Sequence, residues 1–163
     1  MEATQNSLPE IAIREYRLDD SLQIKECLLV LQDFVHLLEP KIVATGSKVF
    51  DSYFEYLINE INKKDGKIFV VESRNAIVGF VGLFVTQEEW ESEKSLYISD
   101  LVVLEKYRGL GLGTKLLEYV EDYAKQQGAK FIKIGALEKN HGALDLYRKM
   151  GFADYLVVLL KTL

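Results

Sequence analysis

A chain of 163 residues, 48% hydrophobic and 28% charged, has the length and balance of one globular domain around one sizeable core. A net charge of -5 makes it a poor general match for nucleic acid, and no apolar run approaches the ~20 residues of a membrane span. A lone cysteine, Cys27, excludes an intramolecular disulfide, and its place on an apolar helix face reads as a small buried hydrophobe.

Residues 1–10 are polar and lack the basic-then-apolar order of a secretory leader, so they read as a loose tail ahead of a single domain over residues 11–163. The cytoplasm is then the default location. Residues 11–18 alternate as a first strand. Asp19, Asp20 and Ser21 are capping types, and Ile24, Cys27, Leu28, Leu31, Phe34, Val35 and Leu38 recur at helical steps until Pro40. A second helix is capped near Thr45 or Ser47. Its stripe is Val49, Phe50, Tyr53, Phe54, Leu57, Ile58 and Ile61, and it closes at Lys63, Lys64 and Gly66. Residues 67–72 and 77–85 read as a hairpin turning at residues 73–76. Gly79 and Gly82 predict close backbone approach or a bulge in its second strand.

An acidic loop with Glu88, Glu89 and Glu91 leads to a strand over residues 95–104. The run Tyr107-Arg108-Gly109-Leu110-Gly111-Leu112-Gly113-Thr114 follows, and then a helix with Leu112, Leu116, Leu117, Val120 and Ala124 on one face. A strand over residues 130–136 comes next. A short helix capped by Asn140 carries Ala143, Leu144, Tyr147 and Met150 and ends at Gly151, and residues 152–163 read as one last strand or two short ones. The order βααββ, then βαβαβ, implies an α/β fold: a mixed sheet with helices on both faces.

A glycine-rich turn between strand and helix presents free N–H groups and the positive end of the helix dipole, a seat for an anion. The Walker A order fails, because Gly113 is followed by Thr114 and then Lys115. The dinucleotide fingerprint fails, because Thr114 or Leu116 falls where its last glycine belongs. The pattern Arg/Gln-x-x-Gly-x-Gly/Ala fits as Arg108, Gly111 and Gly113. With the strand before it, Asn140, and Tyr147 spaced before Gly151-Phe152, the chain resembles the GNAT superfamily of N-acetyltransferases over residues 96–152.

That resemblance implies a single-domain GNAT-like fold with a splayed strand pair, and acetyl-CoA as acyl donor without a metal. The pyrophosphate would sit on Arg108, Gly109, Leu110, Gly111, Leu112, Gly113 and Thr114. The pantetheine arm would lie along Leu101, Val102 and Val103, near a bulge on that strand, with Asn140 reaching the same arm. Tyr147 matches the family tyrosine that protonates the CoA thiolate. Asp100 is the nearest carboxylate for a general base; Glu88, Glu89, Glu91 and Tyr97 are alternatives. His36 reads as structural or solvent-facing. The expected acceptor is a small-molecule amine or a protein amino group, with no nucleic acid and no membrane among the partners, and a homodimer as the assembly to test. A catalytically silent CoA-binding module and a transferase of another acyl-CoA are the competing readings.

Overall fold

A computed structural model describes residues 10–163, apart from the side chains of Ser47 and Phe50. The tail expected over residues 1–10 lies, but for Glu10, outside the described residues, as do the roles read for those two side chains. The elements are β1 Ile11–Glu15, α1 Ser21–Leu38, α2 Ser47–Lys63, β2 Lys67–Ser73, β3 Ala76–Thr86, β4 Ser95–Val103, α3 Leu112–Gln126, β5 Phe131–Ile134 and α4 His141–Lys149. The strands lie side by side in sequence order, antiparallel from β1 to β4, with β4 and β5 parallel. The β2–β3 hairpin turns on Arg74 and Asn75, both at positive φ (49° and 64°), as a two-residue turn that follows the strand twist.

Alternation along β2 divides the core between the two faces of the sheet. Ile68 and Val70 pack with Ile24, Cys27 and Leu28 of α1 and Phe54, Leu57 and Ile61 of α2. Phe69 and Val71 pack with Leu116, Leu117, Val120 and Ala124 of α3 and Tyr147 of α4. The predicted helical stripes mark most of the buried faces; on α2, Val49 is instead exposed. Cys27 is fully buried, and that burial pushes its thiol pKa up to about 11.

Both glycines of β3 meet neighbouring backbone or side chain closely, as expected. A Cβ on Gly79 would lie 2.6 Å from the Val102 carbonyl oxygen, and one on Gly82 would lie 2.9 Å from Ser99 Oγ. The β3–β4 register passes from Gly82↔Asp100 to Leu83↔Ile98, so Ser99 is an extra residue bulged out of β4. The resemblance placed a bulge near Leu101 to Val103; it falls at Ser99, where the missing side chain of Gly82 makes room.

The N-terminus of α1 is tied to the sheet by ions. Arg14 of β1 holds Asp20 with two hydrogen bonds, from Nη1 to Oδ2 at 2.7 Å and from Nη2 to Oδ1 at 2.9 Å, while its Nε reaches Glu72 of β2 at 2.5 Å. Asp20 is 5% exposed, and Arg14 holds its carboxyl below the usual range.

One expectation fails. Residues 152–163 form no strand: they run on from Gly151 without a sheet partner among the described residues. Their composition suits a strand, but a strand also needs an edge, and this chain does not bring the segment onto one.

Candidate active site

β4 and β5 are paired only from Ser95↔Phe131 to Ile98↔Ile134. Beyond that, β4 continues along β3 as far as Val103 while β5 has ended. The bulge at Ser99 marks the parting, since an extra residue bends and twists its strand. The splayed pair is therefore present. It opens a cleft of about 980 Å³ walled by β4, the glycine turn, the loop after β5, α4 and α1.

The glycine turn forms one end of the cleft. Gly109 and Gly111 both have φ +75°, and a Cβ on either would find open space. Gly111 is the N-cap of α3 and has no side-chain cap. Among the described residues, the backbone N–H groups of residues 109–114 have no backbone acceptor. Six successive donors at a helix N-terminus, two of them on left-handed glycines, fit a pyrophosphate. Gly113 differs from these two: its φ is not positive, and a Cβ there would press on Leu146 Cδ2 at 3.0 Å. Its smallness lets α4 pack against the start of α3.

Arg108 lines the cleft, its Nε donating to the Val103 carbonyl at 3.0 Å and its guanidinium 5.7 Å from the centre of the Phe34 ring. Leu101, Val102, Val103, Leu112 and Thr114 line the cleft as well; Leu110 does not, and is 45% exposed. Asn140 lines the wall and caps α4, Oδ1 accepting from the Ala143 N–H at 3.2 Å. Lys139 beside it pairs with Glu39 just past α1 at 2.7 Å, joining two walls. Tyr147 is buried yet lines the cleft, and burial pushes its phenol pKa up to about 12.

The facing of Asp100, ambiguous from alternation, is decided by the bulge. Leu96 and Ile98 pack on the α3 side, whereas Val102, four residues on from Ile98, packs on the α1–α2 side. The shift of one residue at Ser99 turns Asp100 toward α2. There Tyr53 Oη donates to Asp100 Oδ1 at 2.8 Å. Asp100 is 5% exposed, and Oδ2 and the neighbouring Ser99 Oγ are buried without partners among the described residues. Burial raises the Asp100 pKa, opposed by the Tyr53 hydrogen bond. Burial, followed by the Asp100 charge, raises that of Tyr53 well above its ordinary value. Tyr53 lines the cleft too, and sequence reasoning missed this role: helical periodicity marked it as inward-facing and nothing more.

The alternatives to Asp100 separate by position. Glu91 is tied to Lys133 of β5 and accepts from the Glu88 backbone N–H; neither it, Glu88 nor Glu89 lines the cleft. Tyr97 does line it, 36% exposed. His36 is structural, its Nδ1 2.6 Å from the Val43 carbonyl in the α1–α2 connection. Among the described residues no cluster of His, Cys, Asp or Glu is arranged to hold a metal ion.

An α/β sheet splayed at a β4 bulge, with a donor-rich glycine turn at the cleft's end, defines an acyl-CoA-type transferase fold. The acetyltransferase (GNAT) family matches residues 31–152, and the chain belongs to it; it is an N-acetyltransferase. It is 28% identical over 148 residues to thialysine N-epsilon-acetyltransferase of Mus musculus, covering 87% of this chain and 84% of that protein. It is 27% identical over 127 residues to N-alpha-acetyltransferase 30 of Schizosaccharomyces pombe, covering 77% and 79%. In fold, a tetramutant of the BH1408 protein of Bacillus halodurans superposes with a TM-score of 0.82 at 19% identity, over 93% of this chain and 99% of that one.

Proposed function

We propose that the chain transfers an acetyl group from acetyl-CoA to a primary amine by direct attack within a ternary complex. The observation that carries this reading is the row of six acceptor-less N–H groups, residues 109–114, in the same cleft as Tyr147 and Asp100. Backbone donors fixed at a helix start bind a pyrophosphate without reorganising, and Arg108 adds a permanent charge beside them. Acetyl-CoA, when bound, supplies an activated acyl carbon and a thiolate leaving group.

The chain's own residues manage two protons. Tyr147, like any phenol, holds its proton at neutral pH, and burial raises its pKa further, to about 12, so its Oη is a donor for a departing sulfur. Full transfer to a thiolate of ordinary pKa, about 8.5, is uphill alone. The N–C bond forms as the C–S bond breaks, Tyr147 regains its proton from solvent, and on the acceptor side the amine gives up an ammonium proton. That proton passes to Tyr53 Oη as the Tyr53 proton moves to Asp100 Oδ1, along the 2.8 Å hydrogen bond. A carboxylate whose burial raises its pKa is the better proton acceptor near neutrality.

The acceptor wall combines the apolar side chains of α1 with Tyr53, Tyr97 and the Asp100 carboxylate, which suits the cationic form of an alkyl amine. A lysine-like side-chain amine, a polyamine, an aminoglycoside and a peptide amino group form the panel to test.

Acetyl-CoA at micromolar concentration should raise the melting temperature, and Gly111→Glu should abolish that shift by filling the cradle with a like charge. Thiol release with at least one amine of the panel completes the reading. A shift without thiol release from any amine would make the chain a silent CoA-binding module, and no shift with any CoA species would remove the donor.

A further inference from the structure

One side chain bridges β4 and β5 at the point where they part. Tyr97 pairs in register with Lys133, and Gly135 lies two residues further on, just past the last pair, Ile98↔Ile134. A step of two keeps Gly135 on the face that Tyr97 occupies, and a tyrosine reaches such a diagonal neighbour. Outside its own chain neighbours, a Cβ built on Gly135 would meet one residue within 4 Å: Tyr97, whose Oη lies 3.9 Å away. That is ordinary van der Waals contact, so the space between the phenol and the Gly135 backbone takes a single carbon.

Packing fixes the phenol in that place. Leu96 and Ile98, on either side of Tyr97, pack on the α3 side, which turns Tyr97 to the opposite face. There its ring centre lies 5.4 Å from that of Phe84, its register partner on β3. Phe84 is buried in turn among the residues of α1 and α2, with Lys64 Nζ 4.2 Å from its ring centre. An aromatic pair with one ring buried gives the other a firm backing.

Chain order says which end of a donor meets this gap. The glycine turn follows the end of β4, so a coenzyme A ester seated on it directs its arm back along β4, from Val103 toward the bulge at Ser99. The far end of that arm carries the acyl group. Beyond Ser99 in the same direction the cleft is lined by Tyr97 on one strand and Gly135 on the other.

We infer that Tyr97 and Gly135 set the length of acyl group that this cleft accepts, which rests on the acyl-CoA reading proposed above. Gly135, lacking a side chain, leaves a gap one carbon wide, and the Tyr97 phenol closes it. A short acyl group ends before the phenol or within the gap. A long one meets a ring that cannot shift without losing its contact with Phe84. Gly135 has no positive φ, so alanine enters there without backbone strain, and its methyl occupies the gap itself. The two positions therefore act in opposite directions: shortening Tyr97 admits longer chains, and enlarging Gly135 excludes shorter ones.

The test is calorimetric titration of the full chain with acetyl-, propionyl- and hexanoyl-CoA, without amine, so that binding is read apart from turnover. A ratio of dissociation constants within one preparation does not depend on how much of a variant is folded. The unaltered chain should bind hexanoyl-CoA at least about tenfold more weakly than acetyl-CoA, and Tyr97→Ala should bring the two within about threefold. Gly135→Ala should weaken propionyl-CoA relative to acetyl-CoA by about fivefold or more. Equal binding of all three esters by the unaltered chain overturns the inference and leaves the donor reading standing. A hexanoyl penalty that survives Tyr97→Ala, or a propionyl ratio unmoved by Gly135→Ala, does the same. Failure of every CoA ester to bind removes the donor reading, and the acyl limit falls with it.

Discussion

Tyr147 and Asp100 are both buried polar groups in a cleft, and burial, which raises the pKa of each, bears in opposite directions on the tasks proposed for them. The phenol is made a weaker acid and the carboxylate is made readier to accept a proton. Tyr147→Phe should therefore lower kcat about 100-fold while leaving the acetyl-CoA dissociation constant within about threefold, since only the donated proton is lost. Steady-state kinetics beside binding titration read that split, and equal turnover would remove the acid role. Asp100→Asn should slow turnover and also stabilise the fold. The folded pKa of Asp100 lies above its unfolded value, so the folded chain binds more protons than the unfolded chain between those two values. Stability falls as pH rises through that window, and the cost of the buried charge is fully present above it. Removing the charge should raise Tm at neutral pH by about 2–4 °C, as about 1 kcal/mol does for a chain of this size. Thermal melts at pH 4 and pH 7 measure it, with the gain confined to the higher pH.

Strand β4 performs its role through an irregularity. One extra residue at Ser99 reverses the faces of everything after it, sends Asp100 to Tyr53 and parts β4 from β5. Gly82 opposite permits this, because an added Cβ would stand 2.9 Å from Ser99 Oγ. Gly82→Ala should lower turnover at least tenfold by shifting the bulge, and Ser99→Ala in the same chain should recover part of that loss. A double-mutant cycle on kcat/KM tests the coupling; additive losses would show that the contact is unimportant. The sequence announced the glycines of β3 and the glycine turn because these are local signals. It did not place the bulge, which is a relation between two strands, and so left the facing of Asp100 open. Tyr53 was legible only as an inward residue of an amphipathic helix, since periodicity tells which side a residue faces and not what it meets there. Residues 152–163 were legible as strand material by composition, but pairing depends on an edge that lies elsewhere.

At the scale of the whole molecule, two helical layers sandwich the sheet, and the start of α1 is pinned to β1 and β2 through Arg14 and Asp20. Arg14 lowers the folded pKa of Asp20, so this tie stabilises the fold fully above the unfolded pKa of about 3.9 and is lost as pH falls through the folded value. Asp20→Ala strands the Arg14 guanidinium half-buried beside Glu72. It should cost about 3 kcal/mol at neutral pH and progressively less in acid, measured by urea unfolding across pH. Loss of equal size at every pH would place the effect in packing instead of charge.

Cys27 lies fully buried under α1 with its pKa near 11, and it is the chain's single thiol. A chromogenic disulfide reagent added to the folded enzyme should therefore meet only the thiol that the proposed reaction releases, so that colour follows turnover without a protein blank. The same reagent gains one equivalent per chain when the fold opens, so one cuvette can separate a variant that has lost its chemistry from one that has lost its structure.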